Sequence, residues 1–206
     1  MNARQTSFEP LAAAGLFSSV GETPAEKPYA RHDGWNEGGK DEWLTPPSIL
    51  SALGSFDLDP CSPVNRPWPT AAMHYTWKDN GLLKPWEGRV WCNPPYGLVI
   101  NKWLARMAEH RNGIVMIFAR TESEYWHKFV WPHADAYLFL RGRVRFCNVD
   151  GTVGPNWGPA PSVLVAYGSQ NVEVLRGCGL NGAFLKADFK EENKALSESP
   201  ENEPQR

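Results

Sequence analysis

The chain has 206 residues, 42% hydrophobic and 21% charged, with a formal charge of −2. That length suits one domain with tails. No apolar run approaches the ~20 residues a membrane helix needs, the first 20 residues lack a secretory apolar core, and four scattered cysteines form neither a Cys-x-x-Cys metal site nor a disulfide scaffold. These exclusions describe a cytoplasmic protein with no membrane partner and no metal. Its charge is uneven: residues 186–206 carry six acids against four bases, and residues 41–185 carry 13 bases against 12 acids. A near-neutral body still binds nucleic acid when its bases share one face. Ten tryptophans suggest that some cover a ligand or stack on bases, the rest being core.

Residues 1–40 are rich in Ala, Gly, Pro, Ser and Glu without a sustained period, and read as a flexible segment. A domain follows over 41–185. It opens with a short helix at 47–53, with Thr45 as its N-cap and proline in the first turn. A strand over 56–59 stops at Pro60, and a proline-rich crossing over 61–77 leads to a second strand at 89–92. Ile100, Trp103, Leu104 and Met107 recur at helical spacing and predict a helix over 100–110. The apolar run 113–119 reads as a central parallel strand buried on both faces. A helix over 124–131 is stopped by Pro132, a strand over 136–140 continues to 146, and the last clear strand covers 162–167. Residues 186–206 read as a disordered acidic tail. Strands alternating with helices predict an α/β fold with a mainly parallel sheet, whose ligands sit beyond the strands' carboxyl ends.

Two motifs fall at such ends. Asn93-Pro94-Pro95-Tyr96 follows the strand over 89–92. The amine of a nucleic-acid base is a weak nucleophile, because its lone pair is delocalised into the ring. Two acceptors on its hydrogens, the Asn93 side-chain oxygen and the Pro94 carbonyl, draw it towards a tetrahedral geometry that can attack. Proline brings a fixed φ and no competing N–H, and Tyr96 can stack on an extruded base. This is preorganised electrostatic stabilisation without a covalent intermediate; the plain alternative is a proline-rich turn. Asp59-Pro60-Cys61 is the second motif: an acid there can take the amino group or ribose of a cofactor, although Asp-Pro also initiates ordinary turns. No G-x-G-x-x-G follows it.

Three further features are weaker. Thr45-Pro46-Pro47 presents a hydroxyl and a helix N-terminus suited to a carboxylate, or is a plain cap. Asn80-Gly81 is a turn in which Asn80 could read a cofactor's adenine. Arg141, Arg143 and Arg145 share one face if their strand continues, forming a row for phosphates that Arg120 extends, or else a charged edge. The five histidines show no ligand spacing.

Taken together, Trp43-x-Thr45-Pro46, Phe56-Asp57-Leu58-Asp59-Pro60-Cys61, Asn80-Gly81-Leu82, Trp86-x-Gly88-x-Val90-Trp91-x-Asn93-Pro94-Pro95-Tyr96 and Leu140-x-Gly142-Arg143-Val144-x-Phe146 resemble the phage-type DNA N6-adenine methyltransferases over roughly 41–168. The resemblance implies a Rossmann-like, S-adenosylmethionine-dependent methyltransferase fold, mostly parallel with an antiparallel final strand. It implies S-adenosyl-L-methionine as methyl donor and double-stranded DNA as acceptor. By position, Asn93, Pro94, Pro95 and Tyr96 form its catalytic tetrapeptide. Asp59, Pro60 and Cys61 stand at the cofactor-binding acid loop, Thr45 and Pro46 at the cofactor's methionine end, and Trp43 and Asn80 count among the cofactor-binding residues. The same tetrapeptide also serves cytosine N4, RNA adenine or a glutamine side chain, and an idle DNA-binding module would keep the same fold. Target-reading segments fall at 61–77 or 147–160, the latter with Trp157.

Overall fold

The computed structural model describes residues 43–97 and 99–187. The segment 1–40 and all but the first two residues of the acidic tail lie outside the described residues. The elements are α1 (Pro47–Leu53), β1 (Leu58–Asp59), β2 (Met73–His74), β3 (Val90–Cys92), α2 (Ile100–His110), β4 (Gly113–Phe118), a π-helical turn (Trp126–Val130), β5 (Ala136–Leu140), β6 (Ser162–Tyr167), α3 (Ser169–Gly177) and β7 (Gly182–Lys186). Helix α2 has the expected bounds: Ile100, Trp103, Leu104 and Met107 form its buried stripe, and Arg111, at φ 57°, ends it by donating its N–H to the Met107 carbonyl.

The seven strands form one sheet in the order β2-β1-β3-β4-β6-β5-β7. From β2 to β4 the pairing is parallel. Strand β6 lies between β4 and β5 and runs antiparallel to both, and β7 closes the edge antiparallel to β5. The expectation of one antiparallel final strand therefore needs correction: β6 and β7 both run against the other five. Strand β4 is buried along its length as expected, but it is parallel only to β3. One core cluster fills each face of the sheet, Trp103, Leu104 and Trp126 on one and Ile49, Trp91 and Leu164 on the other.

Strand β5 does not run on to 146. It stops at Leu140, where Gly142 turns the chain at φ 79°. The segment beyond keeps a strand-like alternation, with Val144 and Phe146 buried between exposed Arg143 and Arg145. It pairs instead with the loop that follows: the Gly158 and Gly154 N–H groups donate to the Val144 and Phe146 carbonyls, and Cys147 bridges to Leu44. Residues 143–158 thereby fold back beside the carboxyl ends of β3 and β4.

The chain leaves β1, forms β2 on one side, and crosses back to form β3 on the other. The loop at the end of β1 is packed from below by Gly81, where an added Cβ would lie 1.9 Å from the Pro60 carbonyl oxygen. Gly81→Ala is expected to destabilise the fold by about 3 kcal/mol, read as a lower midpoint in urea against wild type. An unchanged midpoint would show that the Asp59-Pro60 loop yields freely.

Candidate active site

Parallel β1, β3 and β4 bring their carboxyl ends to one edge of the sheet, so Asp59, Asn93 and Phe118 meet there. Between them opens a cleft of about 540 Å³, within the roughly 300–1,000 Å³ usual for small-molecule sites. Asp59 and Asn93, 34 positions apart in sequence, line the same cavity.

Asp59 is 3% exposed. Its Oδ1 accepts the Cys61 N–H at 3.1 Å, and its Oδ2 accepts the Thr70 hydroxyl. Burial disfavours the charged form and pushes the carboxyl up to about 6, against the Thr70 and Cys61 hydrogen bonds and the more distant Arg66 charge, which hold it down. No basic side chain forms an ion pair with Asp59 among the described residues.

Cys61 ties the two motifs together. Its Sγ lies 3.6 Å from Cys92 Sγ and 3.4 Å from the Asn93 carbonyl, to which it donates. Burial, followed by the neighbouring Cys92, raises its thiol well above the ordinary value, so it is present as a neutral thiol.

The Asn93 amide is held by one long contact, Nδ2 donating to the Trp43 carbonyl at 3.5 Å. Its Oδ1 is shut away from solvent and accepts no hydrogen bond from the described residues, so it is left with an acceptor to satisfy. Pro94 is buried and brings no N–H. Tyr96 stacks on Phe118 with ring centroids 4.1 Å apart and planes 11° from parallel. Phe118 thus covers one face of the Tyr96 ring, and both residues line the cleft. Burial raises the Tyr96 phenol well above its ordinary range, so it is neutral at any working pH.

The other expected residues divide. Trp43, Thr45, Cys61 and Arg120 line the cleft, with Pro95 beside Tyr96. Pro46, Pro60 and Asn80 do not. Thr45 is not an N-cap: that position belongs to Pro46, without a side-chain hydrogen bond, and the buried Thr45 hydroxyl faces Met116 Sδ at 4.0 Å. Asn80 sits in a turn at φ 55° beneath the Asp59 loop.

The arginine row is exposed on its alternating positions, and two of its members also bond the following loop. Arg145 Nε donates to the Gly154 carbonyl at 3.0 Å, and Arg143 Nη1 to the Gly158 carbonyl at 2.9 Å. Both brace the loop whose Trp157 lines the cleft and remains 63% exposed, with the Arg145 guanidinium 5.7 Å from its ring centre. Arg141 is exposed and does not line the cleft. Arg120 sits over Phe118 at 5.9 Å and pairs with no acid among the described residues. Thr70, Phe118 and Asn156 are lining residues that sequence reasoning missed. Phe118 alone carried a signal, as the aromatic residue near the end of the apolar run before Arg120.

A mixed α/β sheet with an acid and an Asn-Pro-Pro-Tyr turn at adjacent parallel strand ends defines a methyltransferase-like protein. A family model described as DNA N-6-adenine-methyltransferase (Dam) matches residues 35–175, and the chain belongs to that family. No curated protein and no solved structure matches the chain. Family membership makes DNA adenine-N6 methylation the activity of the group to which the chain belongs.

Proposed function

We propose that the protein transfers a methyl group from S-adenosylmethionine to N6 of an adenine extruded from double-stranded DNA. The observation that carries this reading is the shared cavity, lined by the Asp59 carboxylate at one strand end and by the Asn93-Pro94-Pro95-Tyr96 turn at the next. Asp59 suits the cofactor's ammonium or ribose hydroxyls, and Trp43 and Thr45 border its methionine end. When bound, the cofactor would supply an electrophilic sulfonium methyl for direct transfer to the amine, its S–C electron pair remaining on sulfur and the displaced N–H proton passing to water.

Asn93 Oδ1 and the Pro94 carbonyl accept the two amine hydrogens, which localises the nitrogen lone pair as it attacks. The proline ring fixes the Pro94 carbonyl, and the Asn93 amide, tied by its 3.5 Å contact to the Trp43 carbonyl, turns to present Oδ1 to the amine. Tyr96 stacks on the extruded base. Arg120 at the rim and Trp157 on its braced loop face the DNA.

Incubation with methyl-labelled cofactor and competing duplex DNA, RNA and protein tests the acceptor class: label is expected in duplex DNA, and label confined to RNA or protein would overturn the reading. Arg120→Gln is expected to weaken duplex binding and to reduce the slope of log K against log salt by about 0.9, the share of one phosphate contact. Fluorescence anisotropy over 50–200 mM salt measures both, and an unchanged slope would remove Arg120 from the interface.

A further inference from the structure

The stretch 61–77, a candidate for reading DNA bases, is tied to the opposite task. His74 pairs in register with Asp59 across β1 and β2, and the Tyr75 N–H donates to the Asp59 carbonyl at 2.9 Å. The His74 ring turns back on its own loop: Nε2 accepts the N–H groups of Thr70 at 3.1 Å and Ala71 at 3.3 Å. Those two bonds require an unprotonated Nε2, and burial with the nearby Arg66 charge holds the imidazole down to about 4, so it stays neutral. The turn so anchored carries Thr70, 7% exposed and on the cleft wall, whose hydroxyl donates to Asp59 Oδ2.

We infer that Thr70, anchored by His74, is a positioning residue that orients Asp59 and keeps it charged for the cofactor. The assignment rests on the reading of Asp59 as the cofactor's carboxylate. The groups facing Asp59 are few: Cys61 on its own loop, Cys92 behind Cys61 on β3, His74 on β2 and Arg66 on the crossing loop. Cys61 is a neutral thiol and His74 a neutral ring, and Arg66 acts from a distance. The Thr70 hydroxyl is therefore the largest influence favouring the carboxylate. A donated hydrogen bond stabilises the charged form over the neutral acid, so losing it raises the carboxyl further. The loop over 61–77 then serves cofactor affinity, and DNA reading falls to the loop over 147–160.

The test titrates S-adenosylhomocysteine, which keeps the amino acid and ribose but has no methyl to transfer, into wild type, Thr70→Val and Thr70→Ser between pH 5 and 7.5. Affinity of the wild type is expected to rise with pH through about 6. In Thr70→Val that midpoint moves up by about one unit and binding near pH 6 weakens about fivefold, while Thr70→Ser retains wild-type behaviour. A merely structural lesion weakens binding equally at every pH. NMR titration of the Asp59 carboxyl carbon in the cofactor-free variants gives the same midpoint without any ligand, with thermal melting to confirm that each is folded. An unmoved midpoint in Thr70→Val, or pH-independent weakening, overturns the role of Thr70 and leaves the function intact. Failure of the wild type to bind S-adenosylhomocysteine at any pH overturns both.

Discussion

Asn93→Ala is expected to lower kcat by about 10²–10³-fold, or ~3–4 kcal/mol, while leaving cofactor affinity within a factor of two. The magnitude is that of removing one preorganised hydrogen-bonding group from a charge-developing transition state. The physical basis is the state of Asn93 Oδ1, buried and accepting no hydrogen bond from the described residues. An acceptor in that condition contributes little to folding, and its removal relieves an unsatisfied group rather than breaking a bond. The variant should therefore be at least as stable as wild type. Single-turnover transfer with labelled cofactor, beside calorimetric titration of S-adenosylhomocysteine, separates chemistry from binding. A variant that methylates at the normal rate would remove Asn93 from the reaction.

Asp59→Asn is expected to stabilise the cofactor-free protein while costing it the cofactor. The carboxyl ionises near 3.8 when unperturbed and near 6 in the fold. Between pH 4 and 6 the folded protein keeps a proton that the unfolded chain releases, so stability falls as pH rises through that window and stays lowered above it. The shift corresponds to about 3 kcal/mol at pH 7.5 and to nothing below pH 4. Asparagine keeps the local bonds: its oxygen accepts from Cys61 N–H and its amide donates to the Thr70 hydroxyl. Melting curves should thus separate by about 5–10 °C at pH 7.5 and converge at pH 4. Affinity for S-adenosylhomocysteine at pH 7.5 should drop at least ~30-fold, the loss of a charge-assisted contact. A destabilised Asp59→Asn protein at pH 7.5 would mean that the carboxylate is fully compensated in the fold. Stability given up to keep a buried charge ready for a ligand is a common trade at functional sites.

What could be read from the chain alone follows from how local each signal is. Helix α2 and strands β4 and β6 carry their burial pattern in consecutive residues, so periodicity finds them. The two strand ends of the site are marked by prolines, which stop a strand wherever it lies, and this made Asp59 and Asn93 visible. Strand β7 leaves no such trace: it is an edge strand, exposed except for a half-buried Phe184. Helix α3 shows only Val172 and Leu175 as buried apolar residues. Arg143 and Arg145 were placed on the correct face because the alternation is local. Their partners were not, because Gly154 and Gly158 reach them only after the loop folds back. Thr70 is the clearest case. Nothing in a proline-rich crossing marks one threonine, and its role exists only because β2 pairs beside β1.

The most direct measurement is nucleoside analysis, by mass spectrometry, of duplex DNA treated with the purified protein and S-adenosylmethionine. N6-methyladenine, present with wild type and lost with Asn93→Ala, is the expected result. N4-methylcytosine in its place, or unmodified DNA from a protein that binds both the cofactor and the duplex, would contradict the account.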